Sequence, residues 1–333
     1  MFKNINCKNL PSLRRNIVYQ FLYELLIVFI PLFTIPYVSR VLGAENIGLF
    51  SYTYAVANYF VLFANLGIKN YGSRTIAMVR NNKEELNRNF SEILSIHIIF
   101  SIIVIFVYLV LLFFFVEDNL VIFLIQSIYV FAAVFDINWF FFGIEKFKLT
   151  VGRNTLVKIL SVFLVLVFVK TQTDLWIYAL ILALSVFVGQ SVVWFALKQY
   201  VSWRRPSWAN MKQHIRPLFV LFLPILALSL YKYMDKIMLG SISSNVQVGF
   251  YENAEKIINV PMSLIMAFGV VLMPRIANMV TSKDKGEVFK LIDMSMEAVM
   301  LLAIAISFGL AGISFVLAPI FFGYEFEECG ILI

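Results

Sequence analysis

Charge is scarce in this sequence: only 14% of its 333 residues are Asp, Glu, Lys or Arg, against about a quarter in a soluble globular domain. Cysteine is scarcer, with Cys7 near the start and Cys329 near the end. The topology argued below puts them on opposite sides of a membrane, so no disulfide is expected, and no cysteine pair has metal-ligand spacing. The two histidines, His97 in an apolar run and His214 in a basic loop, have no further ligand at metal spacing, and both are read as structural. A GxxxxGK[ST] loop is missing, which argues against ATP-driven transport by this chain. The first apolar run begins only after Arg14 and Arg15 and lacks a small-x-small cleavage site, so it is read as a retained span. No cofactor is implied, and no stretch between apolar runs is long enough for a soluble catalytic domain.

Apolar residues fill the space: 61% of the chain, 34 phenylalanines among them, at a mean hydropathy of +0.86. Runs of about 20 apolar residues suffice to cross a bilayer. Nine such runs are found, at 17–39, 47–67, 91–115, 120–142, 154–170, 175–198, 217–239, 248–272 and 293–322. Unpaired backbone is costly in lipid, and the alternation of outer-membrane strands is absent, so all nine are expected to be helices. The expected fold is therefore an all-α polytopic transmembrane bundle. The net charge of +7 follows topology and does not point to nucleic acid. Alternate connections are basic (Lys3 to Arg15, Lys69 to Arg88, Lys146 to Lys158, Lys198 to Arg216, Arg275 to Lys290) and the others carry Glu117, Asp118, Asp174, Glu325, Glu327 and Glu328. The positive-inside rule then puts the N-terminus in the cytoplasm.

An internal repeat is visible. GLFSYTYAVANYFVLFANLGIKNYGSR from Gly48 and GFYENAEKIINVPMSLIMAFGVVLMPR from Gly249 have the same length. Phe50 pairs with Tyr251, Asn58 with Asn259 and Arg74 with Arg275, while RVLG upstream ends at Gly43 and KIMLG at Gly240. The offset spans six helices, so the copies enter the membrane in the same direction, as two bundles flanking a cavity would. This divides the chain into an N-terminal lobe, 1–205 with helices 1–6, and a partial C-terminal lobe, 206–333 with helices 7–9 and the start of a tenth. On this reading the second lobe is truncated.

Ionisable groups inside spans cost at least about 2.5–3.5 kcal/mol each on insertion scales and mark candidate sites. Lys232, Asp235 and Lys236 stand at i, i+3, i+4, as do Glu252, Glu255 and Lys256, so each set shares a helix face. Two readings stay open. In one, Lys232 and Lys256 are neutralised by Glu255 and Asp235 in a charge-paired hairpin; in the other, Lys232, Lys256, Asp235, Glu255 and Glu252 form the polar wall of an anion-binding cavity. Lys236 is read as snorkelling to the outer interface. Asp136 is either a helix-end group beside an interfacial tryptophan belt or a headgroup contact. Glu24 is either an ion-coupling site or a hydrogen-bonded buried carboxylate.

PLFTIPYVSRVLGAENIGLFSYTYAVANYF (31–60), LGIKNYGSR (66–74), FDINWFFFGIEKFK (135–148), YMDKIMLG (233–240) and VGFYENAEKI (248–257) together resemble the polysaccharide-biosynthesis flippases of the multidrug/oligosaccharidyl-lipid/polysaccharide exporter superfamily. The resemblance implies two MATE-like lobes around a hydrophilic cavity. It implies translocation of undecaprenyl-pyrophosphate-linked oligosaccharides across the bacterial cytoplasmic membrane, for O-antigen, capsule or exopolysaccharide, without hydrolysis. A proton or sodium gradient, the lipid bilayer, a polysaccharide polymerase and chain-length machinery are the implied partners. The chain departs from the pattern by ending near the tenth helix. A cation-coupled drug antiporter, a flippase for the peptidoglycan lipid precursor, and a membrane-embedded polymerase or glycosyltransferase are the competing readings.

Overall fold

The computed structural model describes residues 10–281 and 285–333, with the side chains of 10–32, 147–148 and most of 264–287 outside the description. All regular structure among the described residues is helical. The ten α-helices are α1 (Leu10–Asn65), α2 (Ile68–Val79), α3 (Lys83–Phe115), α4 (Leu120–Val134), α5 (Asn138–Gly143), α6 (Phe147–Phe168), α7 (Leu175–Leu197), α8 (Trp208–Ile242), α9 (Asn245–Thr281) and α10 (Lys285–Phe322). Short 3-10 segments cover Gln172–Asp174 and Tyr324–Ile331. Seven helical stretches among the described residues are long and apolar enough to cross a membrane. The expected run 47–67 falls within one of them, Phe33–Val79. The expected run 17–39 lies largely, and 248–272 partly, on side chains outside the description; both fall in helices, α1 and α9.

α1 is two helices that meet at a kink at Gly43, whose φ of 78° suits a residue without a Cβ. Its second half packs along α9 and α4, and α4 in turn packs on α7. Phenylalanines such as Phe106, Phe113 and Phe114 on α3 and Phe308 and Phe315 on α10 point outward. An apolar exterior of this kind is what lipid contact requires.

The connections gather at two ends. At one, the Ser202 amide donates to Asn87 Oδ1 at 3.0 Å, the Arg204 amide to Ser91 at 2.9 Å, and Arg80 pairs with Glu145 at 2.5 Å. This is the basic end. At the other, Asn46 donates to the Gln172 carbonyl at 3.0 Å, Arg40 to the Ile320 carbonyl at 2.5 Å, and the Ala44 amide to Glu325 Oε1 at 2.9 Å. Glu325 thus caps the second half of α1 at its break.

Gly48 and Gly249, the first residues of the two matched segments, meet where α1 crosses the start of α9. A Cβ on Gly48 would lie 1.6 Å from the Asn245 carbonyl oxygen, and one on Gly249 would lie 2.1 Å from that of Ala44. Small residues let helix backbones approach this closely.

Cys329 is buried in the Tyr324–Ile331 segment, its thiol 3.3 Å from the Phe250 carbonyl, and burial pushes its pKa up to about 12. The thiolate is the reactive form. With Cys7 replaced by Ser, the native protein is expected to resist maleimide at pH 7 and to label fully once unfolded. Rapid labelling of the native protein would contradict this packing.

Candidate functional site

Two adjoining cavities lie between α1, α6, α7 and α9, sharing Phe50, Lys158, Ser161 and Leu182 in their walls. The smaller, about 260 Å³, also touches Ser39, Tyr178 and Lys256. The larger, about 490 Å³, touches Tyr54, Tyr129, Asn138, Arg153, Asn154 and Gln190. Three cations, Arg153, Lys158 and Lys256, face this space, and no aspartate or glutamate lines it among the described residues.

The two walls differ in chemistry. α1 supplies an aromatic row in which Phe50 stacks on Tyr54 at 5.7 Å and meets Tyr178 edge-on at 4.9 Å, while Tyr54 meets Tyr129 at 5.1 Å. α6 and α7 supply polar groups. Arg153 donates to the Gly189 carbonyl at 2.5 Å and to Asn138 Oδ1 at 3.0 Å, and it also bonds Asn154. Asp136 accepts from the Asn138 amide at 3.0 Å and from its side chain at 2.7 Å, so it holds Asn138 toward Arg153 from behind. Asp136 therefore sits at the start of α5, as a helix-end group would. The tryptophan beside it faces the protein interior: Trp139 is 2% exposed and stacks on Phe90 at 5.6 Å.

The charged faces of α8 and α9 do meet, with different partners from those expected. Lys236 reaches Glu252 at 2.5 Å and Glu255 at 2.7 Å, and Lys256 reaches Glu252 at 3.1 Å. Lys236 is buried, so the snorkelling expectation is overturned. Hairpin register explains the exchange. Lys236 and Glu252 stand about two helical turns on either side of the bend at Ser243 and Ser244, so they arrive at one level. Lys232 shares a level with Lys256, another cation, and is exposed, its ammonium 5.9 Å from the Tyr233 ring centre. The expected pairing of Lys232 and Lys256 with Glu255 and Asp235 is corrected accordingly. Asp235 is exposed and accepts from the Tyr251 hydroxyl at 2.7 Å. The side chain of Glu24 lies outside the described residues. Lys256 joins the two features: it holds Glu252 with one contact and borders the cavity beside Lys158.

The helical membrane bundle thus holds a cavity lined by cations, with no carboxylate among the described lining residues. Residues 13–280 match the family model described as polysaccharide biosynthesis protein. The chain belongs to this family. Two relatives, each named "Putative O-antigen transporter", come from Escherichia coli strain K12 and Shigella dysenteriae. The first is 27% identical over 285 residues, covering 84% of this chain and 68% of the relative. The second is 24% identical over 333 residues, covering 96% and 80%. No solved structure matches the chain significantly.

In this member of the polysaccharide biosynthesis family, three features escaped the sequence reading. Arg153 and Lys158 were counted with the basic connection after helix four, yet both stand on α6 facing the cavity. His214 lies in α8, not in a loop, and is buried. Its Nε2 is 2.9 Å from Glu92, its Nδ1 is 2.6 Å from the Tyr71 hydroxyl, and Asn210 donates to Glu92 at 3.1 Å. This network pins the start of α8 to α2 and α3. Its one sequence signal was a single Glu near the start of an apolar helix, with its partner 122 residues away.

Proposed function

We propose that the chain is a flippase that carries lipid-linked oligosaccharide repeat units across the bacterial cytoplasmic membrane by alternating access. The observation that carries this reading is the cavity itself, with cations and aromatic faces on its walls and no carboxylate among the described lining residues. Lys158 and Lys256 offset the phosphate charge of the cargo. The aromatic row from Phe50 to Tyr129 offers flat faces to sugar rings, and Asn138, Asn154 and Gln190 offer hydrogen bonds to hydroxyls. The polyprenyl chain stays in lipid. The work is binding and reorientation, with no bond of the cargo broken. The names of the two relatives support export of surface polysaccharide.

In this reading the chain forms an N-terminal lobe, 1–205, and a C-terminal part, 206–333, that rock about the Gly48–Gly249 crossing. The N-terminus and the basic end face the cytoplasm. Glu252, Glu255 and Asp235 shape the α8–α9 wall, Lys232 meets cargo only in another conformation, and Glu24 is a candidate for ion coupling. A drug antiporter taking cations would be opposed by the three cavity cations.

Lys158→Ala combined with Lys256→Ala is expected to abolish surface polysaccharide while the protein remains in the membrane at wild-type level. Completed lipid-linked units should accumulate on the cytoplasmic leaflet. Normal export by the well-expressed double variant would remove the cavity from the mechanism. An unchanged lipid-linked pool in cells lacking the gene would remove the flippase reading altogether.

A further inference from the structure

A further cavity, of about 360 Å³, opens at the basic end, away from the two adjoining cavities. Its wall includes Arg80 and Asn81 from the α2–α3 turn, Lys83 at the start of α3, Lys146 just before α6, and Gln199 and Tyr200 after α7. Three cations converge here, two from the α2–α3 turn and the start of α3, and one from the segment before α6. Arg80 is held by Glu145 at 2.5 Å, whereas Lys83 and Lys146 have no carboxylate partner among the described residues. Lys146 lies 6.0 Å from the Tyr200 ring centre. Glu145 itself has a φ of 58°, unusual for a residue with a side chain. That backbone turn places Glu145 on Arg80 and leaves the next residue, Lys146, at the cavity.

The depth of the site is marked independently. Trp203 and Trp208 are 54% and 61% exposed. They belong to the segment that crosses the start of α3 through the Ser202–Asn87 and Arg204–Ser91 bonds. Exposed tryptophans of this kind settle at the headgroup level of a bilayer. Met78, 69% exposed and two residues before Arg80, adds an apolar flank.

We infer that this cavity is a binding site for the headgroup of an anionic phospholipid of the membrane. The two uncompensated ammonium groups would take the phosphate oxygens, and Asn81 and Gln199 would take headgroup hydroxyls. Basic pockets between transmembrane helices bind anionic lipid in this way. A soluble anion would meet only exposed, salt-screened lysines, whereas a lipid is already concentrated at this depth. The bound lipid would bridge α2–α3, α6 and the segment after α7.

The test uses the purified 333-residue chain in neutral detergent, with binding read by native mass spectrometry and by thermal unfolding. Phosphatidylglycerol is expected to bind and stabilise, and phosphatidylcholine and inorganic phosphate are not. Lys83→Gln and Lys146→Gln are each expected to weaken phosphatidylglycerol binding about fivefold, and the Lys83→Arg/Lys146→Arg pair to retain it. Equal binding of phosphatidylcholine would overturn the proposal. So would stabilisation by inorganic phosphate alone, which would assign the pocket to a soluble anion, or undiminished phosphatidylglycerol binding in the glutamine variants. If those variants fail to fold, the lipid comparison on the unaltered protein and the arginine pair decide the matter alone.

Discussion

Lys236→Ala is expected to cost about 3 kcal/mol of stability, because it removes the ammonium that two half-buried carboxylates share and leaves Glu255 without an ion-pair partner. Lys236 reaches both Glu252 and Glu255, at 2.5 and 2.7 Å, and all three side chains are less than a third exposed. After the substitution, Glu252 retains Lys256 and Glu255 loses its ion-pair partner. The α8–α9 hairpin should loosen, the detergent-solubilised protein should melt at markedly lower temperature, and its yield in membranes should fall. Lys232→Ala, one turn away on the same helix, is the control and should melt like the unaltered chain. A triple change, Lys236→Met with Glu252→Gln and Glu255→Gln, removes the charges together and should recover most of the lost stability. A single-alanine variant that melts normally would mean that the three groups do not share a low-dielectric site.

Gly48→Val is expected to be comparably damaging, at about 3 kcal/mol or more, the upper end of overpacking effects. The first added carbon would stand 1.6 Å from the Asn245 carbonyl oxygen and 2.8 Å from the Gly249 nitrogen, and both are backbone atoms that cannot rotate away. Relief requires α1 and α9 to separate along their contact. Gly249→Ala should act similarly, since its Cβ would lie 2.1 Å from the Ala44 oxygen. The double alanine variant should be less harmful than the sum of the singles, because one separation accommodates both side chains. Strict additivity in thermal unfolding would show that the two glycines do not share a crossing.

Much of the architecture was legible because hydropathy and backbone satisfaction leave few options in lipid. Apolar runs had to become helices. The existence of charged faces on α8 and α9 followed from the i, i+3, i+4 spacing. Which lysine turns inward did not, because Lys232 and Lys236 share a face and only the position of the bend at Ser243 and Ser244 selects between them. Arg153 and Lys158 were hidden for a different reason: the charge count that orients spans treats every lysine near a helix end as a loop residue. His214 was hidden because α8 begins with a polar stretch, Trp208 to Arg216, before its apolar run. The Asp136–Asn138–Arg153 chain joins α5 to α6, and no local pattern announces it.

The capping of α1 by Glu325 also has a consequence in time. The Ala44 amide and its acceptor are 281 positions apart, so at a synthesis rate of about 5–20 residues per second the donor waits roughly a quarter of a minute to a minute for its partner to be made. Throughout that interval the break at Gly43 must be held by earlier-made groups or by water, the Gln172 carbonyl arriving first to meet Asn46. The two halves of α1 are thus inserted in a provisional form, and this hydrogen bond is added only after Glu325 has been made.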